Sequence, residues 1–239
     1  MIAVILAAGS GTRLLPLTAD RPKALVELDG VTLLERLLGS CARAGIREAL
    51  VVTGYERGAL ESWLDRDLPL SVDTVFNENY ARYGNAWSLY AARDRLAGRE
   101  FIKLDGDLLL DFRILSRLIA SDWPSALVLD RDVALDDEAM KASADARARV
   151  TAIGKWLEDG AGESIGVEKI AASAAPRLFE AIERLVLEQG RHDAYYEDAY
   201  QALIEQGWEL GSVDVAGAAW VEIDDHQDLA RASTVLAAL

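Results

Sequence analysis

Two glycines and two cations near the start of the sequence have the types and spacing to hold a strongly anionic group. They are Gly9, Gly11, Arg13 and Lys23, set in LAAGSGTRLLPLT (residues 6–18) and Pro22-Lys23. Glycine has no Cβ to keep main-chain amides from phosphate oxygens, and Arg and Lys supply the countercharge. Ala7 and Ala8 are small enough to let a planar base lie against the backbone. Two better-known phosphate loops do not fit. The G-x-G-x-x-G fingerprint has Leu14 in its last place, and the chain's Gly-Lys pair, Gly154-Lys155, has Arg149 and Trp156 where the P-loop needs Gly and a hydroxyl.

A second group is acidic. Asp107 follows an apolar run, and Glu222 and Asp224 stand at i, i+2 near the end of another, so they can share one face of an extended strand. Carboxylates together with phosphate oxygens suit Mg2+, which keeps part of its water shell. Asp105 competes for the same role by the same alternation. Asn85 carries both an acceptor and a donor, a match for the edge of cytosine, and equally stands where it would cap a helix. Tyr83, Trp87, Trp156, Tyr195, Tyr196 and Trp220 are candidates for an aromatic box around a quaternary ammonium, with Glu197 or Asp198 as countercharge. The same set would also suit a primary amine, and Trp87 on a helix face reads as core as well. Cys41 falls on a helical core stripe, His192 and His226 look peripheral, and no nucleophilic triad spacing stands out.

The elements that must position these residues alternate. Apolar runs at 2–6 and 49–53 read as buried strands, 72–76, 101–104 and 126–130 as further strands, and helical periodicity at 33–41, 60–64, from 85 and at 114–119 falls between them. That is the pattern of a mostly parallel sheet with helices on both faces. From 132 to 163 the order loosens into an acidic, Ala- and Gly-rich excursion, with antiparallel strands expected at 149–153 and 164–170. Helices at 176–188 and 197–205, strands at 210–215 and 219–223, and a helix capped by Asp225 follow. One domain over 1–239 is expected, with a nucleotide-binding portion at 1–130 and an acceptor-binding and C-terminal portion at 131–239.

Composition narrows the class. With 25 basic and 40 acidic residues the formal charge is −15, which argues against nucleic acid or an anionic membrane as partner. One cysteine excludes an internal disulfide and suits a reducing cytoplasm. No run is long enough to span a bilayer, and the apolar start lacks the basic region of a signal peptide.

Leu6, Ala7, Ala8, Gly9, Gly11, Thr12, Arg13, Leu14, Pro16, Leu17, Thr18, Pro22 and Lys23 together meet the pattern L-A-A-G-x-G-[ST]-R-[LM]-x-P-L-T…P-K. The chain thereby resembles the nucleotidyltransferases that join a nucleoside triphosphate to a phosphorylated sugar or alcohol. Asn77-Glu78-Asn79-Tyr80 and Asn85-Ala86-Trp87-Ser88-Leu89 replace the Gly-rich base segment of the sugar-phosphate branch. They are similar to a segment of the cytidylyltransferases acting on phosphocholine, inositol phosphate or phosphonates. The likeness runs on through Tyr196-Glu197-Asp198 and residues 220–225.

The resemblance implies a Rossmann-like fold and transfer of CMP from CTP to a small phosphorylated alcohol or phosphonate, with release of pyrophosphate. It implies a nucleotide site at Leu6, Ala7, Ala8, Gly9, Ser10, Gly11, Thr12, Arg13, Lys23, Asn85, Ser88 and Asp107, with Arg13, Lys23 and Asp107 catalytic. It implies Mg2+ on Asp107 and on Glu222 or Asp224, and favours Asp107 over Asp105. The acceptor would meet Trp87, Tyr196, Glu197 and Asp198, in a monomer or homodimer. Departures at Leu108 and Glu197 bear on the acceptor. The alternatives are a sugar-1-phosphate nucleotidyltransferase using another triphosphate, and a catalytically silent nucleotide-binding regulatory module.

Overall fold

The computed structural model describes residues 1–239. Strand β1 (Ile2–Ala7) leads into the glycine turn and a small hairpin, β2 (Glu27–Leu28) and β3 (Val31–Thr32). Then come α1 (Leu33–Arg43), β4 (Glu48–Thr53), α2 (Arg57–Leu64), β5 (Ser71–Phe76), α3 (Asn85–Ala91) and α4 (Arg93–Leu96). The chain continues through β6 (Phe101–Asp105), β7 (Leu108–Leu110), α5 (Phe112–Ala120), β8 (Ala126–Asp130), β9 (Lys141–Ala144), β10 (Val150–Ile153) and β11 (Gly162–Ile170). It closes with α6 (Ala175–Glu183), α7 (Tyr196–Glu205), β12 (Gly211–Asp214), β13 (Trp220–Glu222) and α8 (His226–Leu236).

Nine strands form one sheet. The limb β5-β4-β1-β6 is parallel, as the alternation requires. Beyond β6, the antiparallel β11 joins that limb to the β9-β10 pair and to β8, which pairs in parallel with β12. Strand β1 shows why its run is unbroken: Ile2 and Val4 belong to one core, Ala3 and Ile5 to the other, so both faces are dry. The first core is covered by α3, α6 and α7, the second by α1 and α5. In α1, Thr32 caps the start by accepting from the Glu35 amide at 3.2 Å, and Leu34, Leu37, Leu38 and Cys41 face the sheet. Each of those leucines contributes about 1.5–3 kcal/mol by leaving water.

Three features depart from the sequence expectation. The helix from 176 to 188 is α6 followed by a π-helical turn at Arg184–Glu188. Strand β9 lies inside the loosened stretch, where no apolar alternation marks it. Strand β7 hides in the apolar run after Asp107 and pairs antiparallel with β13 alone, Leu108 opposite Glu222 and Leu110 opposite Trp220. This ribbon lies over a small satellite core, in which Leu109 and Ile223 meet Leu14, Leu33 and Ala232.

Candidate active site

A cleft of about 280 Å3 opens at the carboxyl ends of β1 and β6. Leu6 to Gly9 form one wall, Tyr80, Tyr83, Asn85 and Ser88 another, and Asp105 to Asp107 with Lys23 and Glu222 the floor. Ligands of open α/β sheets bind at such strand ends. The loop that leaves β1 is held from within. The Gly11 carbonyl accepts from the Leu14 amide at 2.9 Å and from Thr18 Oγ1 at 2.9 Å, and Leu14 is fully buried beneath it. Gly11 sits at φ +61°, and a Cβ there would stand 2.9 Å from Lys23 Cβ. Glycine at this place is therefore required by left-handed backbone and by the close passage of the lysine.

Lys23 Nζ lies 2.6 Å from Asp107 Oδ2 and 2.6 Å from Asp224 Oδ1, and Arg13 Nη2 lies 2.9 Å from Asp224 Oδ2. Burial alone would lower the Lys23 pKa, but the charges of Asp107 and Asp224 outweigh it and raise it well above the ordinary lysine value. The ammonium is thus fixed as a cation. Asp107 and the 222–224 segment meet through the β7–β13 ribbon, extended by the Ile223 amide donating to the Asp107 carbonyl at 3.1 Å. The start of α8 fixes the far end: Asp228 accepts from the Asp224 amide at 2.9 Å and the Asp225 amide at 3.0 Å, while Asp225 caps the helix. Oxygens of Asp107, Glu222 and Asp224 come within 4.8 Å of one another. Desolvation in the cleft, then the nearby charges of Asp107, Asp105 and Asp224, push the Glu222 carboxyl well above the usual range.

Asp105, the competitor for the metal role, also lines the cleft, but its Oδ2 is engaged by other residues. It accepts from Lys103 Nζ at 2.9 Å and from the Tyr196 hydroxyl at 2.5 Å. Lys103 is fully buried, lies 3.1 Å from Glu168 Oε2 across the β6–β11 ladder, and sits over the Tyr196 ring at 3.5 Å. Sequence reasoning missed this network. Its signal was charged residues inside two largely apolar strands, Lys103 in FIKLD and Glu168 beside Lys169 in SIGVEKI.

The other expected residues divide. Asn85 is the first residue of α3, and no side chain caps that helix. Its Oδ1 instead accepts from the Tyr196 amide at 3.2 Å, tying α3 to α7. Ser88 Oγ lines the cleft and accepts from Asn77 Nδ2 at 3.1 Å. Ser10, Gly11 and Thr12 lie outside the cleft lining, and Arg13 faces an adjoining chamber. Tyr196 and Glu197 line that chamber too. Trp87 and Asp198 do not. Trp87 stacks on Tyr90 at 4.5 Å against the core, and Asp198 accepts from the Tyr195 amide at 2.8 Å and pairs with Arg191 at 2.7 Å, closing the start of α7. Trp156 is exposed, and Trp220 Nε1 donates to Asp130 at 2.6 Å. The buried Cys41 thiol is pushed up to about 12 by desolvation, in keeping with a core role.

Comparison with known proteins places this geometry in a class. The nucleotidyl transferase family profile matches residues 2–126, and the chain belongs to that family. It is 37% identical over 108 residues to the choline-phosphate cytidylyltransferase of Streptococcus pneumoniae, covering 45% of this chain and 46% of that protein. It is 29% identical over 246 residues to the CMP-5'-(3-aminopropyl)phosphonate synthase of Streptomyces rubellomurinus, covering 96% of this chain and 38% of that protein. The chain thus spans about half or less of the length of these curated relatives. The solved structure of CTP:phosphocholine cytidylyltransferase from Streptococcus pneumoniae superposes with a TM-score of 0.80 at 25% identity, covering 98% of this chain and 99% of that one. No helix is long and apolar enough to cross a membrane.

Proposed function

We propose that this protein transfers CMP from CTP to the phosphate or phosphonate oxygen of a small acceptor, releasing pyrophosphate. One observation carries the reading. Gly9 of the turn, Lys23, Asp107 and Glu222 come from distant parts of the chain to line a single cleft, with Asp224 joined to it through Lys23. The names of the relatives support cytidine and a phosphorylated small molecule as the substrates.

The acceptor oxygen is already anionic and needs no general base. Catalysis then rests on in-line placement and on neutralising charge. The base enters between the Ala7-Ala8 backbone and the Tyr80–Ser88 wall. The Asn85 carbonyl is committed to Tyr196, which leaves its amide nitrogen to donate to a ring acceptor of the pyrimidine. Main-chain amides of the turn and Arg13 hold the departing phosphates. Lys23 offers its fixed charge to the α-phosphate or to the attacking oxyanion.

A divalent cation fits the carboxylates. Asp107 Oδ1 is buried with no hydrogen-bond partner, and Glu222 and Asp224 bring hard oxygen donors beside it. Those three residues would hold Mg2+, which supplies Lewis-acid stabilisation of charge on the phosphate oxygens.

The test is pyrophosphate release across four nucleoside triphosphates and a panel of phosphocholine, 2-aminoethylphosphonate, inositol 1-phosphate and sugar 1-phosphates, with Mg2+. Turnover confined to CTP is expected. Preference for UTP or dTTP with a sugar 1-phosphate would overturn the reading in favour of the sugar branch. No turnover with any pair, alongside measurable CTP binding, would leave a silent nucleotide-binding module.

A further inference from the structure

The loop that follows β1 is gripped at both ends by Tyr55. This residue lies two positions past β4, whose Thr53 stands opposite Ala7 of β1. Its amide donates to the Ala8 carbonyl at 3.0 Å, which continues the parallel ladder into the start of the loop. Its hydroxyl lies 3.0 Å from the Ala19 carbonyl and 3.2 Å from the Thr18 carbonyl, where the loop ends. The two strand ends pass closely: a Cβ on Gly54 would stand 2.6 Å from the Ala8 carbonyl oxygen and 2.7 Å from Tyr80 Cβ.

The grip reaches the glycine turn. Thr18 is 1% exposed, and its Oγ1 donates to the Gly11 carbonyl at 2.9 Å, so the carbonyl and the side chain of one residue join Tyr55 to the turn. Within the loop the main-chain bonds are short-range: the Leu14 amide to Gly11, Leu17 to Leu14, and Ala19 to Pro16. Such bonds fix local shape and leave open where the loop lies against the sheet. Arg13 with Asp224, and the His226 ring 2.9 Å from the Leu15 carbonyl, tie it to the start of α8. Tyr55 ties it to β4. The amides of Gly9, Ser10 and Gly11 donate to no main-chain carbonyl, so they are free to meet phosphate oxygens, and their aim depends on how the loop is held. Ordering one residue's backbone costs about 1–2 kcal/mol, so a loop held in shape before the ligand arrives binds it tighter.

Building on the proposed nucleotide site, we infer that Tyr55 is a positioning residue: through Thr18 it holds the glycine turn in the shape that receives a triphosphate tail, and so sets affinity for the phosphates and not for the nucleoside. The base is received by the Ala7-Ala8 backbone, and that part of the chain is held by the Tyr55 amide, which every substitution except proline keeps. The hydroxyl acts at the other end of the loop.

The experiment uses Tyr55→Phe, which keeps the ring and the amide and removes the hydroxyl. Binding of cytidine, CMP, CTP and pyrophosphate to the full chain is measured by calorimetry with Mg2+ and no acceptor. CTP and pyrophosphate are expected to bind on the order of 3- to 10-fold more weakly than to the unsubstituted protein, the worth of one net hydrogen bond, with cytidine and CMP unchanged. In the pyrophosphate-release assay KM for CTP should rise by the same factor and kcat should stay within about twofold, the mark of lost uniform binding. Thr18→Val, which removes the bond to Gly11, should show the same selective loss, and the double variant should lose no more than the larger single loss. Where Tyr55→Phe does not fold, Thr18→Val with the same ligands decides. Unchanged CTP affinity with full turnover would sink the inference and leave the transfer reaction standing. Equal weakening of cytidine, CMP and CTP would reduce Tyr55 to a structural role, and additive losses would remove the route through Thr18; either overturns the inference. If the protein binds another triphosphate in place of CTP, the same loss with that nucleotide's tail is expected. The selective loss without pyrophosphate release from any substrate pair would sink the reaction and leave the inference standing.

Discussion

Replacing Lys23 by methionine keeps the length of the side chain and removes its charge. In the structure that charge sits 2.6 Å from Asp107 and 2.6 Å from Asp224, and the lysine side chain is 12% exposed. Removing one partner of a buried ion pair costs about 3–5 kcal/mol, because the charge left behind is unpaired. Asp224 is 33% exposed and retains Arg13, so the lower end of that range applies. At ~2–4 °C per kcal/mol for a chain of this size, a loss of about 3 kcal/mol lowers Tm by about 6–12 °C. The freed carboxylates should then take up a divalent cation without nucleotide. Mg2+ at about ten times its Kd returns about 1.4 kcal/mol, or about 3–6 °C. The unsubstituted protein should respond less, because the Nζ charge already neutralises Asp107 and Asp224. Thermal melts by circular dichroism with MgCl2 or EDTA measure both effects. A Tm unchanged by Lys23→Met, or equal Mg2+ responses in the two proteins, refutes the view that the Lys23 charge is paired with, and competes with a divalent cation for, Asp107 and Asp224.

Asp107→Asn should lower kcat by about 100- to 1,000-fold in the pyrophosphate assay, the usual cost of losing one aligned electrostatic group, and near-normal turnover would remove Asp107 from the mechanism. Gly11→Ala places a Cβ at φ +61° and against Lys23, so urea unfolding should show a loss of about 1–2 kcal/mol; no loss would show that the turn relaxes freely. Burial pushes Glu168 up to about 7 and Glu197 up to about 8, with Lys103 opposing in both. The folded state then binds more protons than the unfolded chain between about pH 4.3 and 8, and stability from these groups falls as pH rises through that window. Tm should decline there and Glu168→Gln should flatten the slope; a rise specific to these groups would contradict their burial.

The parallel limb of the sheet was legible because β1, β4 and β6 are dry on both faces and each helix between carries an apolar stripe. The glycine turn was legible because its constraints are local: a positive φ, a lysine passing over it, a leucine beneath. What escaped depends on contacts between distant segments. Strand β7 has no alternation of its own and is a strand through β13. Asp198 and Glu197 are neighbours in sequence, yet one closes a helix and the other enters a chamber, a difference set by the helix phase of α7. Trp87 was offered as a binding aromatic, and its ring is used by Tyr90. Lys103 and Glu168 lie 65 residues apart, and only the antiparallel register of β6 and β11 makes them a pair.

The β7–β13 ribbon also bears on how the molecule comes into being. Residues 222–224 leave the ribosome more than a hundred residues after Asp107. A nascent chain that has emerged through β11 already holds the glycine turn, the lysine and one acid, yet lacks the two carboxylates that complete the set. On the proposed metal set, the site is completed only when β13 docks, so turnover would begin with the closing of the ribbon and not gradually during synthesis.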